Sequence, residues 1–359
     1  MFSRACRARN RKKHSKALGR VVLSAALLGA SGCNEPQTTL RGHGLAAIRI
    51  SHLSWLMTIL FLIVSLIMWV LIATAFYKRR GTLAEHAPID SEGGEIWIAI
   101  GGLAIPFIVL TLLFVLGLSL LSDFPIHGMR GPMTVSAAEA MKPEIRITGH
   151  QWWWQIDYLN PDPSKAFTTA NELHLPAGRP MYIEVVTKDV MHSLWIPALH
   201  GKVDMIPGLA NYILIQSSQP GTYEGQCAEY CGEQHAHMRL LAVVQEPAEY
   251  EAWLQKQRQP AAEPTTPEAI DGKNIFLSSP CIACHQVRGT FAAGTLGPDL
   301  THIGSRQLIG ADSFPNNNAY LEAWVTNAQS LKPGCLMPNL PQFNGPQLLD
   351  LVAYLRQLK

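Results

Sequence analysis

Two stretches of this chain contain no charged residue at all. Residues 53–77, LSWLMTILFLIVSLIMWVLIATAFY, run for 25 positions, and residues 96–122, IWIAIGGLAIPFIVLTLLFVLGLSLLS, run for 27. At about 1.5 Å of rise per residue, each reaches across a hydrocarbon core of about 30 Å. In lipid every backbone polar group must be satisfied within the protein, which leaves the helix as the form for an isolated span. A two-helix transmembrane hairpin is therefore predicted, with Pro106 kinking its second helix. The chain is 48% hydrophobic and only 16% charged, as membrane segments require. Lys78, Arg79 and Arg80 follow the first run, so the positive-inside rule puts the connecting loop in the cytoplasm and both outer ends of the hairpin outside.

The formal net charge of +2 hides an asymmetry. Residues 1–32 carry eight Lys or Arg and no acid, then an apolar run and small residues before Cys33. This pattern predicts a signal peptide over 1–32, with Cys33 a candidate for lipidation. An export signal and a cytoplasmic hairpin loop give the same topology. The remaining 327 residues hold 21 basic and 27 acidic side chains, a net of −6. An N-terminal segment and the hairpin fill 33–122. Residues 143–247 alternate in runs such as EIRITGHQWWW and RPMYIEVVT, broken by turn residues, and are expected to form an all-β sandwich. EPAEYEAWLQKQRQ reads as a short helix and PAAEPTTP as an exposed linker, and they supply the helix-and-linker segment 248–266 between the two domains. Residues 267–359 change to short helices and loops, ending in an amphipathic helix with Leu348, Leu351, Val352 and Leu355 on one face.

Of seven cysteines, Cys227/Cys231 and Cys281/Cys284 form close pairs, each followed by a histidine. That is metal or haem spacing rather than a disulfide framework. In GQCAEYCGEQHAHM, Cys227 and Cys231 stand four apart, with His235 four further on and Met238 three beyond it. Thiolate and imidazole select copper or zinc, but structural zinc seldom recruits methionine. A mononuclear blue-copper site needs one thiolate; two could each bridge two copper ions, leaving a histidine and a weak ligand at either end. The loop offers one such histidine, His235 unless His237 competes, and His192 in KDVMHSLWIP is the natural source of the other. His150, His174, His200 and His237 read as surface or structural.

The strings DVMHSLWIP, GKVDMIPG and PGTYEGQCAEYCGEQHAHM, with GHQWWW upstream, resemble subunit II of the haem–copper cytochrome c oxidases, over both apolar helices and the whole sandwich. The resemblance implies a cupredoxin fold carrying the dinuclear copper centre CuA. By it, Cys227 and Cys231 are the bridging thiolates, His192 and His235 the terminal imidazoles, and Met238 and the Glu229 carbonyl the weak ligands. The Glu229 side chain would face a magnesium site shared with subunit I. Trp152 falls where electrons enter the subunit, and Glu95 resembles the glutamate at the mouth of a proton-uptake channel. The chain departs from the pattern at His200 and at Leu209, where a basic residue that would pair with Asp204 is common.

CIACH is the haem-attachment pattern, which makes Cys281 and Cys284 the thioether links and His285 the proximal iron ligand. From about Pro267 onward the chain resembles cytochrome c: GPDL at 297–300 matches the loop beside the proximal histidine, and KPGCLMP matches the distal loop, making Met337 the sixth ligand. A Met/His pair raises the iron's potential. Cys335 is expected to be a free, buried thiol. The implied function is subunit II of cytochrome c oxidase with a fused all-α cytochrome c domain. Electrons would pass from an external cytochrome c to a covalent haem c, then to CuA, then to subunit I, which reduces O2 to water with proton pumping. The implied partners are subunit I, subunit III, external cytochrome c and the membrane, with no nucleic acid. The implied location is the bacterial inner membrane, multi-pass, with both redox domains periplasmic. The acidic exterior could steer a basic donor. The competing readings are nitrous oxide reductase, a metal-free quinol oxidase subunit II, and a membrane-anchored electron carrier or copper-delivery module without an oxidase partner.

Overall fold

The computed structural model describes residues 37–78, 94–122 and 142–359. The expected signal peptide, Cys33 and the Arg79–Arg80 end of the cytoplasmic loop lie outside the described residues. Helix α1 is Leu45–Lys78, and α2 covers 94–122: an α turn (Gly94–Trp97), a π-helical stretch (Ile98–Ala104) and an α segment (Ile105–Ser122). Both are long and apolar enough to cross a membrane, and their apolar windows are unburied. α1 starts eight residues before the charge-free window, because hydropathy marks the part suited to lipid, not the helix end. The distortion expected at Pro106 falls in the wide turn just before it. A proline ring crowds the preceding turn and removes one hydrogen bond, and a π-bulge accommodates both effects.

The chain leading into α1 is strapped to the next domain. His43 N and Gly44 N donate to Ala198 O at 2.7 and 3.0 Å, and Leu45 N donates to Gln216 O at 2.9 Å. That domain has ten strands: β1 Ile145–His150, β2 Trp153–Tyr158, β3 Phe167–Ala170, β4 Glu172–Pro176, β5 Met181–Thr187, β6 His192–Trp195, β7 Val203–Met205, β8 Asn211–Ile215, β9 Gly221–Cys227 and β10 Arg239–Gln245. They form two five-stranded sheets, β3-β2-β1-β5-β8 and β4-β10-β9-β6-β7. The alternation in the sequence becomes alternation of burial: Ile145 and Ile147 in β1, and Trp154, Ile156 and Tyr158 in β2, all face the core. Leu173, Leu194 and Leu240 meet them from the other sheet. Each fully buried Ile or Leu contributes about 1.5–3 kcal/mol. Trp153 points outward and stacks on His150 at 4.4 Å, while Trp152 sits in the turn before β2 and obeys neither phase.

Helix α3, Pro247–Arg258, closes the sandwich with Tyr250 and Leu254. The following segment has no regular structure and is mostly exposed, yet it is tied down: Ala261 N donates to Arg288 O at 2.8 Å, and Thr265 N to Gln357 Oε1 at 2.9 Å. The last domain comprises α4 Pro267–Ser278, the short α5 Cys281–Cys284, a two-stranded ribbon of β11 Leu308–Ile309 with β12 Phe314–Pro315, α6 Asn318–Leu331 and α7 Gly345–Gln357. Asn344 caps α7 in a capping box with Gln347, and Leu351, Val352 and Leu355 are buried among Phe276, Val325 and their neighbours, with Leu348 partly buried against them.

Candidate metal centre and haem site

The sulfur-rich loop is held by backbone bonds before any side chain is considered. Cys227 N donates to Met238 O at 2.9 Å, closing the loop that joins β9 to β10, and Ala228 N donates to Ser193 O on β6 at 2.9 Å. A 3-10 turn at His235–His237 then turns His235 back toward the cysteines. β6 delivers His192 from the neighbouring strand.

The side chains meet in two matched sets. Cys227 Sγ lies 3.8 Å from His192 Nδ1 and 3.2 Å from Glu229 O. Cys231 Sγ lies 3.6 Å from His235 Nδ1 and 3.9 Å from Met238 Sδ. The two sulfurs are 3.8 Å apart. His192, Cys227 and Cys231 form a group whose ligand atoms all lie within 4.8 Å of one another, and His235 falls outside it. A single tetrahedral ion, with ligands at about 2.0–2.3 Å, needs all four atoms mutually close. The arrangement instead gives each sulfur its own imidazole and its own weak donor, which suits two ions bridged by the pair. His192 Nε2 is 2.8 Å from Asp189 Oδ1, which orients the ring so that Nδ1 faces the sulfurs.

Cys227 is held below the usual thiol range, above all by its hydrogen bond with Cys231, and that same bond pushes Cys231 up. Burial opposes charge on His192, but its bonds to Cys227 and Asp189 outweigh it and raise its pKa.

Trp152 Nε1 donates to Cys231 O at 2.9 Å, beside Gln151 Nε2, which donates to the same carbonyl at 2.8 Å. Trp152 is only 9% exposed. The Glu229 carboxylate is 3.7 Å from Lys202 Nζ, which also lies 3.1 Å from Asp204 Oδ1. Lys202 is thus the partner of Asp204 that position 209 does not provide; Leu209 is exposed and His200 buried. Glu95 is not brought to this cluster and stands exposed in the first turn of α2.

In the second site, α5 sets Cys281 and Cys284 one turn apart, with His285 immediately after. His285 Nδ1 is 2.8 Å from Pro298 O; donating there leaves the Nε2 lone pair for a metal. Burial keeps the ring neutral by lowering its pKa. Gly297 makes this approach possible, since a Cβ there would sit 2.7 Å from His285 Cε1. Two thiols and an oriented imidazole are the donor set that a c-type haem takes. Gln329 Nε2 donates to the carbonyls of Cys335 (2.6 Å) and Met337 (2.8 Å), and Gln329 Oε1 accepts from Gly334 N (2.9 Å), so one amide staples the methionine loop. Cys335 is free but half-buried rather than buried: its sulfur faces Gln329 at the loop surface.

Three important residues escaped the sequence. Asp189 carried a signal, three positions before His192. Gln329 and Lys332 carried none, because their partners lie in distant segments.

Residues 159–245 match the family model "Cytochrome C oxidase subunit II, periplasmic domain", and residues 269–359 match "Cytochrome c". Cytochrome c oxidase subunit 2 of Alkalihalophilus pseudofirmus is 34% identical over 342 residues, covering 94% of this chain and 96% of that one. Cytochrome c oxidase subunit 2 of Bacillus subtilis is 27% identical, covering 95% and 98%. The crystal structure of the periplasmic domain of cytochrome oxidase subunit II from Bradyrhizobium japonicum is 30% identical, covers 33% of this chain and 96% of that chain, and superposes with a TM-score of 0.30. With near full-length similarity of this kind, and with both of its extramembrane domains matched, the chain belongs to the cytochrome c oxidase subunit II family, in a form that carries a C-terminal cytochrome c domain and whose two domains imply copper and haem.

Proposed function

We propose that this chain receives electrons from a soluble cytochrome c at its own haem domain and relays them through a dinuclear copper centre into subunit I. The copper pair would be held by His192, Cys227, the Glu229 carbonyl, Cys231, His235 and Met238. The haem would be bound covalently through Cys281 and Cys284, with His285 and Met337 on its iron. Both groups supply one-electron chemistry. The protein's part is to hold their ligands rigid and dry, so that little rearranges when an electron arrives. The observation that supports this reading most is the paired set at the sulfurs, each thiol with its own imidazole and weak donor. We place the half-buried Glu229 carboxylate toward a magnesium ion shared with subunit I, and Glu95 at a proton-uptake mouth at the cytoplasmic face. Subunit III completes the expected assembly, in the bacterial inner membrane with two spans and with both redox domains on the periplasmic side.

Stopped-flow mixing of the purified chain with reduced cytochrome c, without oxygen, tests the order. The haem is expected to be reduced first and the copper after it; copper reduced at its normal rate while the haem stays oxidised would contradict the relay. Co-purification with a large multi-helix haem protein separates an oxidase subunit from a free-standing carrier.

Asp189→Ala gives a separate check on the ligand set. Loss of an outer-shell partner of a metal-bound histidine costs about 10–100-fold in metal affinity. Titration against a copper chelator should find a loss of that size. An unchanged affinity would remove His192 from the set.

A further inference from the structure

Lys332 follows helix α6 in the cytochrome domain and is 3% exposed. Its ammonium donates three hydrogen bonds, all to backbone carbonyls: Trp152 O at 2.8 Å, His237 O at 2.9 Å and Gly310 O at 3.0 Å. No carboxylate oxygen lies within 4 Å to balance it as an ion pair among the described residues. A buried lysine is costly unless its donors are all satisfied. Here all three are, and the three carbonyls belong to different segments. Trp152 precedes β2, His237 lies between His235 and Met238, and Gly310 lies in the ribbon turn of the cytochrome domain itself. One side chain therefore ties the tryptophan, the sulfur loop and the haem domain together.

The next residues press on the same place. Pro333 O accepts from Gln234 Nε2 at 2.8 Å. Gly334 has φ +78°, and a Cβ there would lie 2.7 Å from Glu233 Oε2 and 3.5 Å from the Trp152 ring. Only glycine takes this backbone conformation and this approach without strain. The loop that begins at Lys332 is also the loop that Gln329 staples and that ends at Met337. Around it, Arg239 N donates to Ala311 O at 3.2 Å and Ser313 Oγ to His237 O at 3.3 Å.

We propose that Lys332 is a positioning residue for electron transfer: it latches the cytochrome domain's methionine loop onto Trp152 and the sulfur loop, so that the two redox domains act as one rigid unit. This rests on the relay proposed above. The latch's hydrogen bonds go to backbone and not to a proposed ligand side chain; it acts through backbone that Trp152 and His237 share with the site, and Trp152 in turn bonds the Cys231 carbonyl.

Two variants of the full-length chain test it, Lys332→Met and Gly334→Ala, each carrying its cofactors. Hydroxyl-radical footprinting with mass spectrometry reads the exposure of the Trp152 and His237 peptides, and flash photoreduction reads haem-to-copper transfer. Leaving buried carbonyls without their charged donor weakens docking by roughly 5-fold or more. In Lys332→Met the footprint at both peptides should therefore rise several-fold, and transfer should slow by about 5-fold or more, while haem and copper keep their characteristic spectra. Gly334→Ala should move both readouts the same way by a smaller factor. Protection of Trp152 and parental transfer in both variants would overturn the latch and leave the relay standing. Lost copper or haem signals in the parent chain would instead strike the relay, while the footprint would still report whether the domains are docked.

Discussion

A Cys231→Ser chain is expected to fold, keep its haem and lose the paired copper signature. Serine nearly matches cysteine in volume, and the contacts that place residue 231 run through its backbone: Trp152 and Gln151 donate to its carbonyl, not to its sulfur. The side chain carries the chemistry. Its sulfur stands between Cys227, His235 and Met238, at 3.8, 3.6 and 3.9 Å. A hydroxyl is a hard donor and a poor bridge for soft copper. Without the bridge, Met238 and His235 have no shared partner with the Cys227 set. Copper analysis should fall from a pair of ions to at most one. Electron spin resonance should change from an electron shared over two nuclei to one localised on a single ion. Transfer onward from the haem should fall by more than the about 10–100-fold that loss of an outer-shell group costs. A Cys231→Ser chain that still holds a delocalised pair would mean that Cys231 is not a bridge. The matched contacts in the fold would then need another purpose.

The sequence made local chemistry legible and left long-range assembly hidden. CIACH, the C-x3-C-x3-H loop and two charge-free runs are short-range patterns, and each stands in the fold with its members together. The period-two runs became strands because alternate residues such as Ile145, Ile147, Trp154 and Ile156 can reach one core. His192 was within reach because a histidine shortly before Trp195 and Pro197 is itself a local pattern; the fold puts it at the start of β6. Trp152 was legible as an aromatic position but not in its setting: it leaves the strand's alternation, sits in a turn and is covered by a domain almost two hundred residues later, through Lys332. That contact follows from how two separately folded domains meet, which no periodicity encodes. The same holds for Glu172 and Gln307, whose 2.5 Å bond joins β4 to the haem domain. The first span began earlier than its hydropathy implied, because the strap at His43–Leu45 fixes its start.

Replacing Met337 by histidine should leave the haem low-spin and in place yet stop it from accepting electrons. Met337 is the only methionine after the attachment pattern, so no other thioether in this domain competes for the iron. Its loop is held through backbone: Gln329 bonds the carbonyls of Cys335 and Met337 and the amide of Gly334, and Lys332 anchors the loop's start. A change confined to side chain 337 therefore leaves the loop where it is. Methionine opposite histidine raises the haem potential relative to two imidazoles, and axial ligands as a class tune it over about 0.8 V. If the exchange lowers the potential by about a quarter of that range, a one-electron equilibrium with the donor shifts by roughly 2,500-fold, at 59 mV per decade. Reduced cytochrome c would then fail to reduce this haem, and turnover of the assembled oxidase would fall with it. Copper signals would be unaffected, since Met337 lies outside the proposed copper ligand set. The methionine-to-iron charge-transfer band should disappear, and a redox titration should find the lower potential. An unchanged band and potential would exclude Met337 as the sixth ligand. A lowered potential with full turnover would mean that electrons reach the copper by a path that bypasses the fused haem, and the Lys332 contact over Trp152 is what such a path would have to displace.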